Sequence, residues 1–153
     1  MSNYHESVLA FMWLASTLGS DSTLAGYAPG GVHRTLAPPD VALPFVVMAH
    51  QAGTDVVTMN GFRIMTEQLF QIRAVGPASM SSQIAQAAAQ IDKLLGGPPG
   101  IPASGAIVVN SVTEGQTLAC YREQQIMLDE VVAGELWNNT GGLYRILLEQ
   151  VAT

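Results

Sequence analysis

The side chains best suited to metal binding or proton transfer are His5, His33 and His50, and they stand far apart in the chain. No His-x-x-x-His pair occurs and no carboxylate lies at a ligand interval, so the expected role of all three is surface or strand packing. Asp129-Glu130, with Glu123 or Glu135, form the one set that looks like paired carboxylates for acid and base work. Exposed acidic residues on a polar segment are the plainer reading. No G-x-S-x-G elbow is present to raise a serine nucleophile, and no G-x-x-x-x-G-K-[ST] loop to cradle phosphates. Gly96-Gly97-Pro98-Pro99-Gly100 has the glycines but neither the lysine nor the hydroxyl. Cys120, the only cysteine, excludes an intramolecular disulfide and a cysteine-based zinc cluster, and is expected to pack in the core. The chemistry expected of these residues is therefore no catalysis, no metal and no cofactor.

The elements that carry them read as follows. Val8, Phe11, Met12, Ala15 and Leu18 recur at helical spacing, which predicts a helix over His5 to Leu18 with that stripe inward. Leu9, Trp13 and Leu14 extend the apolar surface around it, so the helix is either wrapped by its own sheet or shared with a second copy. Gly19 to Gly31 reads as a loop, and Val32 to Thr35 as a short strand before the Pro38-Pro39 break. Leu43 to His50 predicts a strand, with proline at its start where the missing N–H does least harm. Asn60-Gly61 signals a hairpin turn. Phe62 to Val75 then alternates, with Phe62, Ile64, Thr66, Gln68, Phe70, Ile72 and Ala74 on a mainly apolar face and Arg63, Glu67, Gln71 and Arg73 on a polar one.

Ser79 or Ser81 can cap a helix that runs to Leu95, with Gly96 just beyond its end and Ile84, Ala87, Ala88, Ile91, Leu94 and Leu95 as its apolar stripe. Residues 96–105 are predicted as a Gly/Pro-rich surface loop, Ala106 to Val112 as a strand, and Leu143 to Val151 as another. Asn138 to Gly142 reads as the turn before that last strand, including its Asn-Asn-Thr sequon. Leu118 to Trp137 fits a strand pair or a short helix, and the segment 114–137 stands out as insertion-like. The order predicts one α+β domain over 1–153, a mixed, largely antiparallel sheet with two main helices packed on it.

Of the 153 residues, 48% are hydrophobic and 12% charged, and mean hydropathy is +0.27. That leaves too little charge to coat a lone monomer. No stretch of 18 or more apolar residues offers a membrane span, and no basic segment precedes Val8 to Ala15 as a signal peptide would require, so subunit contacts are the expected use of the apolar surface. A net charge of −6 with no basic cluster argues against gripping nucleic acid through its phosphates.

In this arrangement the chain resembles the tail completion proteins of long-tailed bacteriophages, which include tail terminators and tail-to-head joining proteins. The resemblance covers most of the chain. It is carried by the first helix, by Gly31-Val32-His33, and by Leu43-Pro44-Phe45-Val46-Val47, which is similar to the family's LPYVV strand. It continues through Gln68 to Val75, through Ile91-Asp92-Lys93-Leu94-Leu95, and through Gly142-Leu143-Tyr144-Arg145-Ile146, similar to the closing GLYRV. The segment 114–137 is longer than the family's usual link. The resemblance implies a virion protein of the head-tail neck, made in the host cytoplasm. It also implies a homo-oligomer, generally a hexameric ring, that caps the tail tube protein and offers a surface to the head-completion or connector protein. DNA passes through such a ring without specific binding, and no membrane and no catalytic residue are implied.

Phe11, Trp13, Leu14, Arg63 and Arg73 are the candidate subunit-interface residues. Asp55, Glu67, Glu114 and Glu123 are the candidates for an acidic bore that repels the passing DNA. Residues 56–60, 96–105 and the segment after Glu114 are candidate axial or luminal loops. A different neck ring, a head-tail adaptor or stopper, is the nearest alternative. A small-ligand-binding or enzymatic α+β dimer is the alternative of another class, and it would need a pocket with converging polar groups.

Overall fold

The computed structural model describes residues 4–96 and 103–150. Its frame is a six-stranded sheet in the order β1-β2-β3-β6-β5-β4, built from β1 (Val32–Arg34), β2 (Phe45–Val57), β3 (Arg63–Pro77), β4 (Gly105–Val109), β5 (Val112–Val132) and β6 (Glu135–Gln150). Only the β1–β2 pair is parallel, so the sheet is mixed and largely antiparallel, as expected from the sequence. Helices α1 (Glu6–Gly19), α2 (Ser22–Tyr27) and α3 (Ser81–Gly96) share one buried cluster with Met48, Phe70, Ile72, Tyr144, Ile146 and Leu148 of the strands.

Alternation decides which strand residues join that cluster. From Thr66 to Ala74 the even positions of β3 are buried, because each is paired across to an inward residue of β6, as Phe70 is to Tyr144 and Thr66 to Leu148. The apolar face starts later than the sequence suggests, since Phe62 and Ile64 lie exposed at the β2–β3 turn. In α3 the buried side is Ile84, Ala87, Ile91 and Leu95, as its stripe predicts.

Four expectations are corrected. The buried face of α1 is Leu9, Ala10, Trp13, Leu14 and Leu18, while Phe11, Met12 and Ala15 are only half-buried. A helix apolar nearly all round has no dominant stripe, and the sheet chooses the face. The predicted loop 19–31 contains α2, whose N-cap Asp21 accepts the amide of Leu24 at 2.9 Å. The predicted turn at Asn138 to Gly142 is continuous strand. A Cβ on Gly141 would run into the Ile72 carbonyl oxygen and one on Gly142 would lie 2.7 Å from that of Gln124, so these glycines let β6 sit closely between β3 and β5. Finally, Gly105 opens β4 instead of closing a loop; most of the proposed 96–105 loop lies outside the described residues.

The segment 114–137 forms most of β5 and the start of β6. The two strands pair from Gly115↔Gln150 to Val132↔Glu135, and Gly134, at φ +84°, turns the chain. β6 meets β3 only as far as Trp137↔Pro77, so the hairpin tip continues beyond its neighbours as an arm. At the other end of the sheet the β2–β3 hairpin, turned by Gly61 at φ +79°, extends past the last β3–β6 pair, Thr66↔Leu148.

Candidate functional site

The residues singled out by sequence do not converge on one place. Trp13 and Leu14 are buried in the chain's own core. Phe11 is half-buried, and the guanidinium of Arg34 lies 5.0 Å from its ring centre. Arg63 pairs with the buried Glu6 at 2.6 Å and more weakly with Asp55 at 3.9 Å. Arg73 stands apart from Arg63; its side chain has no ion pair and its Nε no hydrogen-bond partner among the described residues.

The proposed bore acids are scattered too. Glu114 is buried, since a register shift between Ile107 and Val108 tucks it into the β4–β5 hairpin. Glu67 and Glu123 converge on Arg145, which donates to Glu67 at 2.9 Å and to both oxygens of Glu123 at 2.9 and 3.0 Å. This three-strand cluster lies on the sheet face opposite the helices; desolvation works to lower the pKa of the Arg145 guanidinium, but the bonds and charges of Glu123 and Glu67 together raise it. The histidines serve local roles: His5 caps α1, His33 bonds the Gly30 carbonyl and His50 bonds Gln68. Among the described residues no group of three or more His, Cys, Asp and Glu is placed to hold a metal, and no helix is long and apolar enough to cross a membrane.

Two kinds of surface remain. The first is exposed apolar residues at the two ends of the sheet. Met59 and Phe62 project from the β2–β3 hairpin, whereas Met127 (78% exposed), Val131 (72%) and Leu136 line the β5–β6 arm. Each end also leaves a sheet edge open. β1 covers β2 only at Val46–Met48, and β4 covers β5 only up to Thr117, so among the described residues β2 from Ala49 to Val57 and β5 from Leu118 to Val132 each have one unpaired side. These edges lie on opposite sides of the sheet.

The second surface is a groove of about 470 Å³ on the face opposite the helices, between the strap that runs from Thr35 to Leu43 and the outward residues of β2, β3, β6 and β5. Its walls are largely apolar, with Phe45 and Trp137 in tilted ring contact at 6.5 Å. Arg73 and Asn139 line it. The Nε of Arg73 and the Oδ1 of Asn139 are both buried and without a hydrogen-bond partner among the described residues, while Asn139 Nδ2 donates to Glu130 at 2.9 Å. Sequence reasoning marked Arg73 but missed Asn139, which read as a turn residue. Only the proline-rich strap between two strands hinted at a groove.

Neither a protein-family model nor a curated relative matches the chain. Its fold does match solved structures. A chain from the virion of a native gene transfer agent (GTA) particle superimposes with a TM-score of 0.66 at 16% identity, over 94% of this chain and 96% of that one. At that identity the likeness is one of fold, and it spans nearly the whole of both chains.

Proposed function

We propose that this chain is a non-enzymatic structural protein of a phage-like virion, a tail terminator that closes into a ring, caps the tail tube and joins it to the head connector. The observation that carries the reading is the pair of open edges on opposite sides of one sheet, accompanied by exposed apolar hairpins at both of its ends. Open edges and apolar patches invite association with another chain. When the two edges differ, each copy meets the next through unlike surfaces, and such head-to-tail contacts generate rings if the rotation closes.

The two projecting ends suit a joint, because a ring between tube and connector needs two axial faces. Six copies is the number implied by the family resemblance. Full-length likeness in fold to a chain of a gene transfer agent virion supports the same class of protein. An acidic lumen for passing DNA would draw on exposed Asp129, Glu130 and Glu135 of the arm, together with Glu123, and not on the buried Glu114.

Electron microscopy of tail tube protein polymerising with and without this chain tests the proposal. Rings seated on tube ends and an arrest of elongation are the expected result. Unimpeded elongation, with the chain bound instead to a portal or connector, would replace the terminator with another neck ring, an adaptor or stopper. A monomer or dimer that never decorates either structure would overturn the joint altogether.

A further inference from the structure

We propose that the groove under the Thr35–Leu43 strap is a docking site for an apolar protein segment that carries a carboxylate. Arg73 is the starting point. Of the other cations, Arg63 meets Glu6, Arg122 meets Asp92, Arg145 meets Glu67 and Glu123, and Arg34 lies over Phe11. Arg73 has no ion pair among the described residues, and it is the cation whose Nε is removed from water without an acceptor. A desolvated guanidinium donor without an acceptor is costly, and a carboxylate is the group that matches its planar fork.

A second observation points the same way. Asn139 is almost completely buried where it lines the groove, and its Oδ1 has no donor to meet it among the described residues. Its orientation is held because Nδ2 is committed to Glu130. The unmet pair is thus one donor group and one acceptor, which suits a polypeptide: a side-chain carboxylate for Arg73 and a backbone N–H for Asn139. Strand register sets the spacing. Arg73 lies opposite Gly141, so no side chain stands beside it on β6, and Glu130 lies opposite Trp137, on the far strand and four residues along. The groove therefore has a cationic end and an anionic end, and the segment's carboxylate enters at the first. Phe45, Trp137 and the strap residues Leu36 and Val41 supply the apolar walls. The volume of about 470 Å³ falls within the usual range for a binding cleft and suits two or three side chains.

A protein segment is chosen as occupant because it rests on the joint reading, in which neighbours are other virion chains or copies of this one. Nuclear magnetic resonance titration tests it with a capped pentapeptide probe, acetyl-Ala-Leu-Glu-Phe-Ala-amide, and its glutamine counterpart. The acidic peptide is expected to shift the Arg73 Nε–H and Trp137 indole N–H signals and to bind about tenfold more tightly than the neutral one. Arg73→Gln should abolish the difference between the peptides. Leu36→Asp, on the exposed rim of the strap, should narrow it without touching the core. Equal binding of both peptides, no binding of either, or a preference that survives Arg73→Gln would overturn the proposal. Sodium acetate that matches the peptide in affinity would overturn it too, because the segment would then add nothing. Ring assembly measured on the same variants separates the two readings: rings that form while the peptides fail sink the groove alone.

Discussion

Arg63, at the start of β3, places its guanidinium 2.6 Å from the carboxylate of Glu6 in the first turn of α1, and so ties the outer end of the β2–β3 hairpin side to the helix layer. Glu6 is buried, whereas the Arg63 side chain is 36% exposed, so water screens only one partner. Arg63→Ala leaves the carboxylate buried without its counter-charge. The expected loss is about 1–2 kcal/mol in a urea unfolding curve, below the full penalty for a buried pair because of that exposure. Adding Glu6→Gln to Arg63→Ala should recover part of it, since a neutral amide is less costly to bury. A double variant no more stable than Arg63→Ala would contradict this account.

Asp21 caps α2 and also accepts Gln90 of α3 at 3.0 Å, so it fastens two helices. The Leu24 amide is the main cause of a pKa below the ordinary 3.8, and it outweighs the opposing effect of burial. A carboxylate with a depressed folded pKa adds stability that is present above its unfolded value and lost as pH falls through the folded one. Asp21→Ala should therefore cost about 1 kcal/mol at neutral pH. In acid below that folded pKa the variant and the parent should converge, and a gap that persisted unchanged there would count against the cap.

Cys120 points into the core from β5, and burial pushes its thiol up to about 12. Because the thiolate is the reactive form, a thiol reagent at neutral pH should label it only when the fold opens. The labelling rate should rise with urea in step with unfolding. Rapid labelling of the native protein would mean that the β5–β6 pairing opens locally.

Gly141 and Gly134 should respond oppositely to alanine. At Gly141 the added Cβ meets the Ile72 carbonyl, a backbone atom that cannot step aside, so Gly141→Ala should cost about 3 kcal/mol or more, or prevent folding. At Gly134 nothing lies within 4 Å and only the positive φ opposes a side chain, so Gly134→Ala should cost about 1 kcal/mol. Thermal melts of the two variants measure the contrast.

Met127 and Val131 are exposed on the arm and make no part of the buried cluster. The double change Met127→Lys and Val131→Lys should leave stability within about 0.5 kcal/mol of the parent. Under the joint reading it should abolish rings on tube ends. Intact rings would move the subunit contact away from the arm.

Some of this molecule could be read directly along the chain. The stripe of α3, the Asn60-Gly61 turn and the alternation of β3 from Thr66 to Ala74 are local signals, and the fold honours each because neighbouring residues alone decide them. The deficit of charge and the lack of any catalytic or phosphate motif were equally plain. What came only with tertiary structure depended on which distant strand lay alongside. An apolar α1 carried no mark of the face the sheet would take. Asn138 to Gly142 looked like a turn until β3 and β5 closed on both sides and made the glycines a condition of close approach. Arg63, Arg73 and Arg145 read alike as cations, yet two found carboxylates across the fold and Arg73 was left facing a groove, because pairing between residues up to 78 positions apart is set by register and not by sequence neighbourhood.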